Sequence, residues 1–561
     1  GTDWYDVMTR IAPQQEYNLS VSHGTEDFQG FFSIGYLNNQ GAVKETNFER
    51  LAMRANMDYE PTNWFKAGMK LSPTVRWWGN QVGGNRGTLY GSAFMSSPLD
   101  GPYMDDGVWE RDNEAYWDGK YDLDIYSPDM FSNRNALHAL KKQVDKDQNL
   151  DIHIQPYVQF SPIDGLSFKS QFNMELSNSS DEYFKPSTIS SIYGPPPSPT
   201  DGYYSTGRSL GWQFENTLNY QKQLGDHSIS ALAGYSMEHY NGYWSYINGD
   251  QFPSDAIKTL NAATEQWGNT GESNWSMISY MLRLSYDYMG KYLFTGTIRR
   301  DGSSRFGPEN RWGYFPSASV GWNVTKEDFF PDAPWLTNLK LRASYGFSGN
   351  NDIGNYTWIP NLSQDNYNFG GGVANGKRLA GMGNRQLSWE RSRELDLGLD
   401  LALLNGRLNF VFDYYNKITE DMLWGVSVPI SSGFSSAMKN IGEIRNRGVE
   451  FAINSINISN NDFTWETDFN ISFNRNKVLD LGDVGRIQTG HRGYSVTMEG
   501  KPMALFYGWK SLGILKDQDE VDRYATFENQ LPGTPRYEDK DGNGLIDQRD
   551  KMVVGNPWPD F

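Results

Sequence analysis

The sequence predicts an all-β fold, an antiparallel transmembrane β-barrel of about sixteen strands with long extracellular loops, and three observations carry that prediction. The first is a two-residue period. In the stretch from Lys291 to Trp322, Tyr292, Phe294, Gly296 and Ile298 fall on one parity, and Leu293, Thr295, Thr297 and Arg299 on the other. After a polar loop Tyr314, Pro316, Ala318, Val320 and Trp322 return against Ser317, Ser319, Gly321 and Asn323. The second is composition. With 19 Trp, 33 Tyr and 30 Phe the chain is rich in interfacial side chains, yet its mean hydropathy of -0.65 is polar. Membrane β-barrels combine the two, because Trp and Tyr belt the lipid boundary while the lumen stays wet. The third is the rhythm of the connections, short and long in turn, as in barrels with short periplasmic turns and long outer loops.

Several classes are excluded. No apolar run of about 18 residues is present, so transmembrane helices are not expected. A charge of -18, from 50 basic and 68 acidic residues, and the lack of a basic stripe argue against a nucleic-acid partner. The chain has no cysteine, hence no disulfide framework, thiolate metal site or cysteine nucleophile. A soluble propeller also alternates, but it would show a blade-length repeat that this sequence lacks.

Taken in order, Tyr17 to Ser22 pairs with Phe28 to Leu37, and Phe48 to Asp58 with Asn63 to Trp78. A long excursion, Gly79 to Gln148, follows. Ile152, Ile154, Val158 and Phe160 then alternate with His153, Gln155, Tyr157 and Gln159, and Leu166 to Leu176 returns after the Ser161 to Gly165 turn. The segment Ser177 to Ser209 reads as another excursion. Trp212 to Tyr220 and Ile229 to Met237 form the next hairpin, and Asn241 to Glu272 the next long loop. Tyr280 to Tyr288 leads into the Lys291 to Trp322 hairpin. Leu339 to Phe347 enters the Gly/Asn-rich loop Ser348 to Leu387, after which Leu395, Leu397, Leu399, Leu401 and Leu403 oppose Glu394, Asp396, Gly398 and Asp400. Asn405-Gly406 is the strongest hairpin signal in the chain. Leu408 to Tyr414, Val449 to Ile453 and Trp465 to Phe473 complete the set. Residues 1–476 thus read as barrel strands with their loops, and residues 477–561 as a large loop region that begins on the extracellular side. The polar parities Arg283, Asp287, Thr295, Thr297, Arg299, Glu394, Asp396, Asp400, Glu466 and Asp468 are expected to face the lumen.

One chemical motif is specific. Asp539, Asp541, Asn543, Gly544, Leu545, Asp547 and Asp550 fit positions 1, 3, 5, 6, 7, 9 and 12 of a calcium loop, with Ile546 at the apolar position 8. A hard cation wants several oxygens on a tightly turning backbone, and Gly544 permits the turn. The expected ligands of Ca²⁺ are Asp539, Asp541, Asn543, the Leu545 carbonyl, Asp547 and Asp550. Asp in place of Glu at the last position shortens the reach, and an acidic turn without an ion is the alternative reading. Trp109 and Trp117 are candidates for stacking on sugar rings, with loop packing as the plainer reading; Trp77 and Trp78 suit a membrane girdle. The six histidines are scattered without metal-ligand spacing. Gly207 to Gly211 matches G-x-S-x-G but enters a strand instead of leaving one for a helix, so no nucleophile elbow and no enzyme is expected.

Arg300-Asp301-Gly302-Ser303-Ser304-Arg305-Phe306-Gly307, followed by Arg311, Gly313, Phe315-Pro316-Ser317 and Trp322, resembles the hallmark hairpin of the SusC/RagA-type TonB-dependent transporters of Bacteroidetes. Asp3-Trp4, Asn18 to Ser22, Trp389-Glu390 with Asp396 and Gly398, Asp413-Tyr414-Tyr415 with Thr419, Asn440 to Glu450, and Pro532-Gly533 before the acidic loop extend the resemblance end to end. It implies a barrel of about 22 strands, a plug and TonB box upstream, and a closing strand beyond Phe561. It also implies active import of oligosaccharides or peptides, energised by TonB and capped by a SusD-like surface lipoprotein, in contact with outer-membrane lipid. A passive porin or adhesive barrel is the competing reading.

Overall fold

The computed structural model describes residues 1–80, 98, 136–189, 197–331, 333–490 and 493–559. Sixteen strands form one antiparallel sheet whose order follows the chain. The first twelve are β1 (Gln14–Gly24), β2 (Phe28–Gln40), β3 (Asn47–Thr62), β4 (Phe65–Gly79), β5 (Val144–Ile163), β6 (Leu166–Lys185), β7 (Asp201–Leu224), β8 (His227–Asp250), β9 (Glu265–Tyr288), β10 (Tyr292–Ser303), β11 (Trp312–Asn323) and β12 (Leu336–Asn350). Glu390–Leu403, Leu408–Glu420, Glu443–Ser459 and Thr464–Asp480 follow. No described helix is long and apolar enough to cross a membrane.

Two compact units divide the chain: residues 1–218 with 236–276, and residues 219–235 with 277–561. In the second unit the predicted parities hold rung by rung. Phe294 lies between Tyr286 and Val320, Val320 between Phe294 and Ala343, and Ala343 between Val320 and Leu397, so one apolar row runs across β9 to β12 and into the leucine strand. Leu399 pairs with Leu341 and Phe412 in the next row. These side chains are open on their own face; Val320 is 53% exposed.

Buried apolar residues therefore gather in small clusters at the strand ends, where connections fold back. In the first unit Phe184, Phe252 and Ala263 form one such cluster, and Met8, Leu137, Ala139, Leu140 and Ile189 another. In the second, Phe306, Phe315, Ile353, Leu387 and Trp389 pack together.

The structure departs from the sequence reading at the strand ends. β6 runs to Lys185 and β7 starts at Asp201, so most of the Ser177 to Ser209 excursion is ladder. β8 likewise continues to Asp250 and β9 begins at Glu265, inside the expected Asn241 to Glu272 loop. Backbone pairing does not require an apolar face, and an apolar parity marks only the part of a strand that lipid wets. The Ser348 to Leu387 loop holds a hairpin of its own, Leu362–Phe369 with Gly372–Leu379, joined through Gly370 and Gly371, both at positive φ. Asn405-Gly406 lies in a four-residue connection in which Leu404, Asn405 and Gly406 all take positive φ. After the strand ending at Asp480, a four-stranded sheet (Arg486–Thr489, Ser495–Met498, Leu505–Gly508, Met552–Gly555) and a pair (Ser511–Ile514, Pro535–Tyr537) frame the acidic loop.

Candidate functional site

Two polar regions are candidates: the wet face of the sheet and the acidic loop. On the wet face of the second unit, Thr295 faces Ser285, with the two hydroxyls 3.2 Å apart, and Thr297 faces Arg283. Arg299 donates through Nε to both carboxylate oxygens of Asp301 at 2.8 Å. The densest group is centred on Arg342, whose guanidinium forks onto Asp400 at 2.9–3.1 Å and reaches Asp413 at 2.8 Å. It does so by crossing the strand between them at Gly398, where an added Cβ would lie 2.5 Å from the Arg342 Cζ and 2.6 Å from an Asp413 oxygen. Glycine is the side chain that lets the cation span two strands. A cavity of about 420 Å³ beside it is lined by Thr295, Ser317, Ser319, Ser344, Glu394 and Asp396. In the first unit a cavity of about 510 Å³ is lined by Gln155, Asn173, Glu175, Gln213, Glu238 and Trp275, among others. Asn173 donates to Gln213 there at 3.0 Å, and Tyr240 stacks on Trp275 with centroids 6.2 Å apart.

The acidic loop is wound around its own carboxylates. Asp539 accepts from the N–H groups of Gly542 (2.7 Å) and Gly544 (2.8 Å), and both glycines have the positive φ this turn needs. Those backbone donors, Gly544 first, hold the Asp539 carboxyl below its usual range. Asp550 is fully buried and accepts from Lys540 N at 2.9 Å and Asp547 N at 2.7 Å. Asp539, Asp541 and Asp550 each present an oxygen within 4.8 Å of the others. Asp547 instead caps the one-turn helix Gln548–Asp550 and pairs with Arg549 at 2.7 Å, while the Asn543 side-chain oxygen accepts from Leu545 N. The loop is anchored by buried Ile546, whose N–H reaches Thr526 O, and by Trp509, whose indole donates to Asp547 O at 2.7 Å. A triad of carboxylates held by backbone donors on a tight turn is the chemistry of a hard-cation loop.

Trp109 and Trp117 lie outside the described residues. The Arg300 to Gly307 motif is placed in a scaffold: Phe306 is fully buried against Trp389, whose indole donates to Arg311 O at 2.8 Å, and Arg305 ties the motif to Asn355 and to Asn351 O. Gly207 to Gly211 lies inside β7. Two groups escape sequence reading. Arg342 belongs to no motif, and Asp147 and Asp181 become neighbours, with Asp145, only through the β5–β6 register. The signal in both cases is pairing register, which a single strand does not carry.

A sixteen-stranded antiparallel sheet with one apolar face and one charged face is the architecture of a bacterial outer-membrane β-barrel. The family model described as TonB dependent receptor-like, beta-barrel, matches residues 63–538, and the chain belongs to that family. TonB-dependent receptor P3 of Formosa agariphila is 33% identical over 578 residues, covering 100% of this chain and 56% of the relative. TonB-dependent receptor SusC of Bacteroides thetaiotaomicron is 30% identical over 601 residues, with the same two coverages, 100% and 56%. The chain therefore spans about half the length of the curated relatives it matches, 56% in both cases. Among solved structures, the RagAB peptide importer in its open-open state superposes with a TM-score of 0.80 at 23% identity, over 99% of this chain and 59% of that one. Within the family the chain is similar to SusC in sequence and to the RagAB importer in fold.

Proposed function

We propose that the full-length protein imports a bulky polar nutrient, an oligosaccharide or a peptide, across the outer membrane, driven by TonB and covered by a SusD-like surface lipoprotein. The observation that carries this reading is the charged wall on the wet face, where Arg342, Asp400 and Asp413 are fixed to one another and so stay in place while cargo passes. A barrel of about 22 strands is wide enough to need a plug, and a plugged lumen passes nothing by diffusion. The SusC relative and the RagAB peptide importer support the import class; of the two only the RagAB name carries a cargo, a peptide, and the oligosaccharide alternative rests on the resemblance seen in the sequence. Trp109 and Trp117 are proposed to stack on that cargo. Growth on candidate glycans and peptides in cells lacking TonB or the neighbouring lipoprotein tests the reading. Equal uptake in both deletions favours the passive porin.

The same reading sets sidedness: residues 79–148, 177–209, 241–272 and 348–387 face the medium, and residues 161–165 and 404–407 face the periplasm. An impermeant thiol reagent on intact cells should label a cysteine at 110 or 190 but not at 163 or 405. The acidic loop then meets extracellular calcium, and Asp539, Asp541 and Asp550, with Asn543, Asp547 and the Leu545 carbonyl, would hold it. Millimolar calcium saturates even a site of ~10⁻⁴ M. If Asp541→Ala and chelation leave the proteolytic sensitivity of residues 530–555 unchanged, the loop is an acidic turn and nothing more.

A further inference from the structure

We infer that the outward face of β9 to β12 is a binding site for one phospholipid, with an acyl chain seated in an open groove of about 400 Å³ and the phosphate at Lys326. The register builds the groove. Tyr292, Trp322 and Leu341 form one row across the strands, and Tyr286, Phe294, Val320 and Ala343 the next. Ala343 interrupts a row of large side chains, and in the following row Gly296 pairs with Ala318, so the surface sinks where its neighbours stand up. Phe294 leans over Gly296, its ring edge 3.5 Å from where a Cβ would be, and forms one wall; Tyr292, Trp322 and Leu341 form the others. The walls are not packed on protein, since Tyr292, Phe294 and Leu341 remain 46%, 41% and 42% exposed.

The occupant follows from continuity. This groove interrupts the apolar row that the barrel presents to lipid, so what lies beside it is hydrocarbon, and a chain that fills it gains contacts a flat wall does not offer. Its lower end meets the 289–291 turn, the short-connection end, which the sidedness proposed above makes periplasmic. Several polar groups at that end are already engaged. Glu327 accepts from the Trp322 indole at 2.9 Å, and Lys291 pairs with Asp328 at 3.0 Å and Glu327 at 3.6 Å. Lys326 is exposed, lies with its ammonium over Gly290, and makes no ion pair with another described residue. An anionic glycerophospholipid of the periplasmic leaflet matches both ends, tail to groove and phosphate to Lys326.

The test uses full-length protein in nanodiscs of phosphatidylethanolamine and phosphatidylglycerol, with a phosphatidylglycerol probe bearing a diazirine in its acyl tail. Peptide mapping after irradiation should show labelling concentrated on residues 292–298 and 318–343. Ala343→Phe, which fills the groove, should reduce it to the level of the other outward strands, whereas Ala343→Ser keeps the groove open and the labelling high. Lys326→Gln should abolish the preference for phosphatidylglycerol over phosphatidylcholine probes while tail labelling persists. Labelling spread evenly over all outward strands in the parent protein, or unchanged in a folded Ala343→Phe variant, overturns the proposal. So does preferential labelling by a lipid A probe, which would put this end of the sheet in the other leaflet.

Discussion

Carboxylates crowd in two places in the second unit, and the two crowds are resolved in opposite ways. On the wet face, Asp400 and Asp413 share Arg342, so the chain supplies its own cation from a neighbouring strand. In the loop, Asp539, Asp541 and Asp550 converge with Arg549 only at the rim, 3.5 Å from Asp541 and committed to Asp547 at 2.7 Å. A strand lattice offers a cross-strand partner at every rung, whereas a twelve-residue turn is too short to bring a cation into its own centre. The first cluster is closed by a cation of its own chain; the second, under the calcium proposal above, would be completed from outside.

The largest test of that contrast is Gly398→Val. Its Cβ displaces the guanidinium and leaves Asp400 and Asp413 facing each other, at a cost of about 2 kcal/mol, below the fully buried range because all three side chains are partly exposed. Urea denaturation of the refolded barrel should show it, and Arg342→Met should make a second change at Gly398 milder. An unchanged midpoint would mean that the cluster is not closed. Next comes Asp550→Ala, which strips two backbone N–H groups of their acceptor inside the loop and should cost about 1–2 kcal/mol locally. Limited proteolysis of residues 530–555 reads this, and calcium should no longer protect the variant.

A pH titration sharpens the contrast further. Asp539 is depressed by backbone donors and Asp547 by the Arg549 side chain. Groups whose folded values are depressed contribute stability fully above the unfolded carboxylate value of about 3.9, and that stability is lost as pH falls through the lower folded values. Loop protection should therefore be flat from neutral pH to about 5 and collapse only in stronger acid; a loss near neutrality would contradict it. The smallest effect is that of Arg549→Gln. Removing a competing surface cation should tighten calcium binding slightly, seen as a small downward shift of the calcium midpoint for protease protection.

Legibility in the sequence followed the same physics. The leucines from 395 to 403 announce a strand because lipid demands an apolar parity, and each pairs across the sheet on that parity. The outer reach of β8, from Asn241 to Asp250, carries no such demand and reads as loop although it is fully laddered. The acidic loop was readable because its carboxylates are local, spaced along one turn. Arg342 with Asp413, and Asp147 with Asp181, were not, since residues 71 and 34 positions apart meet only through register. The Arg300 to Gly307 motif was visible as a motif, but its role needed Trp389 and Ile353, which arrive from another connection.

The length of β5 and β6 has a consequence for how such a chain can change. Each has 20 residues, whereas a tilted strand crosses the hydrocarbon in about 9–11. About half of each strand therefore extends past the hydrocarbon, at roughly 3.3 Å per residue along the strand. Because side chains alternate with period two, adding or deleting a pair of residues on both partners raises or lowers the rim without turning a single wet side chain toward lipid. A single-residue change inverts the whole strand below it. The reach of the strands past the membrane is thus a quantity this architecture can adjust in steps of two, independently of the face that its wet side chains line.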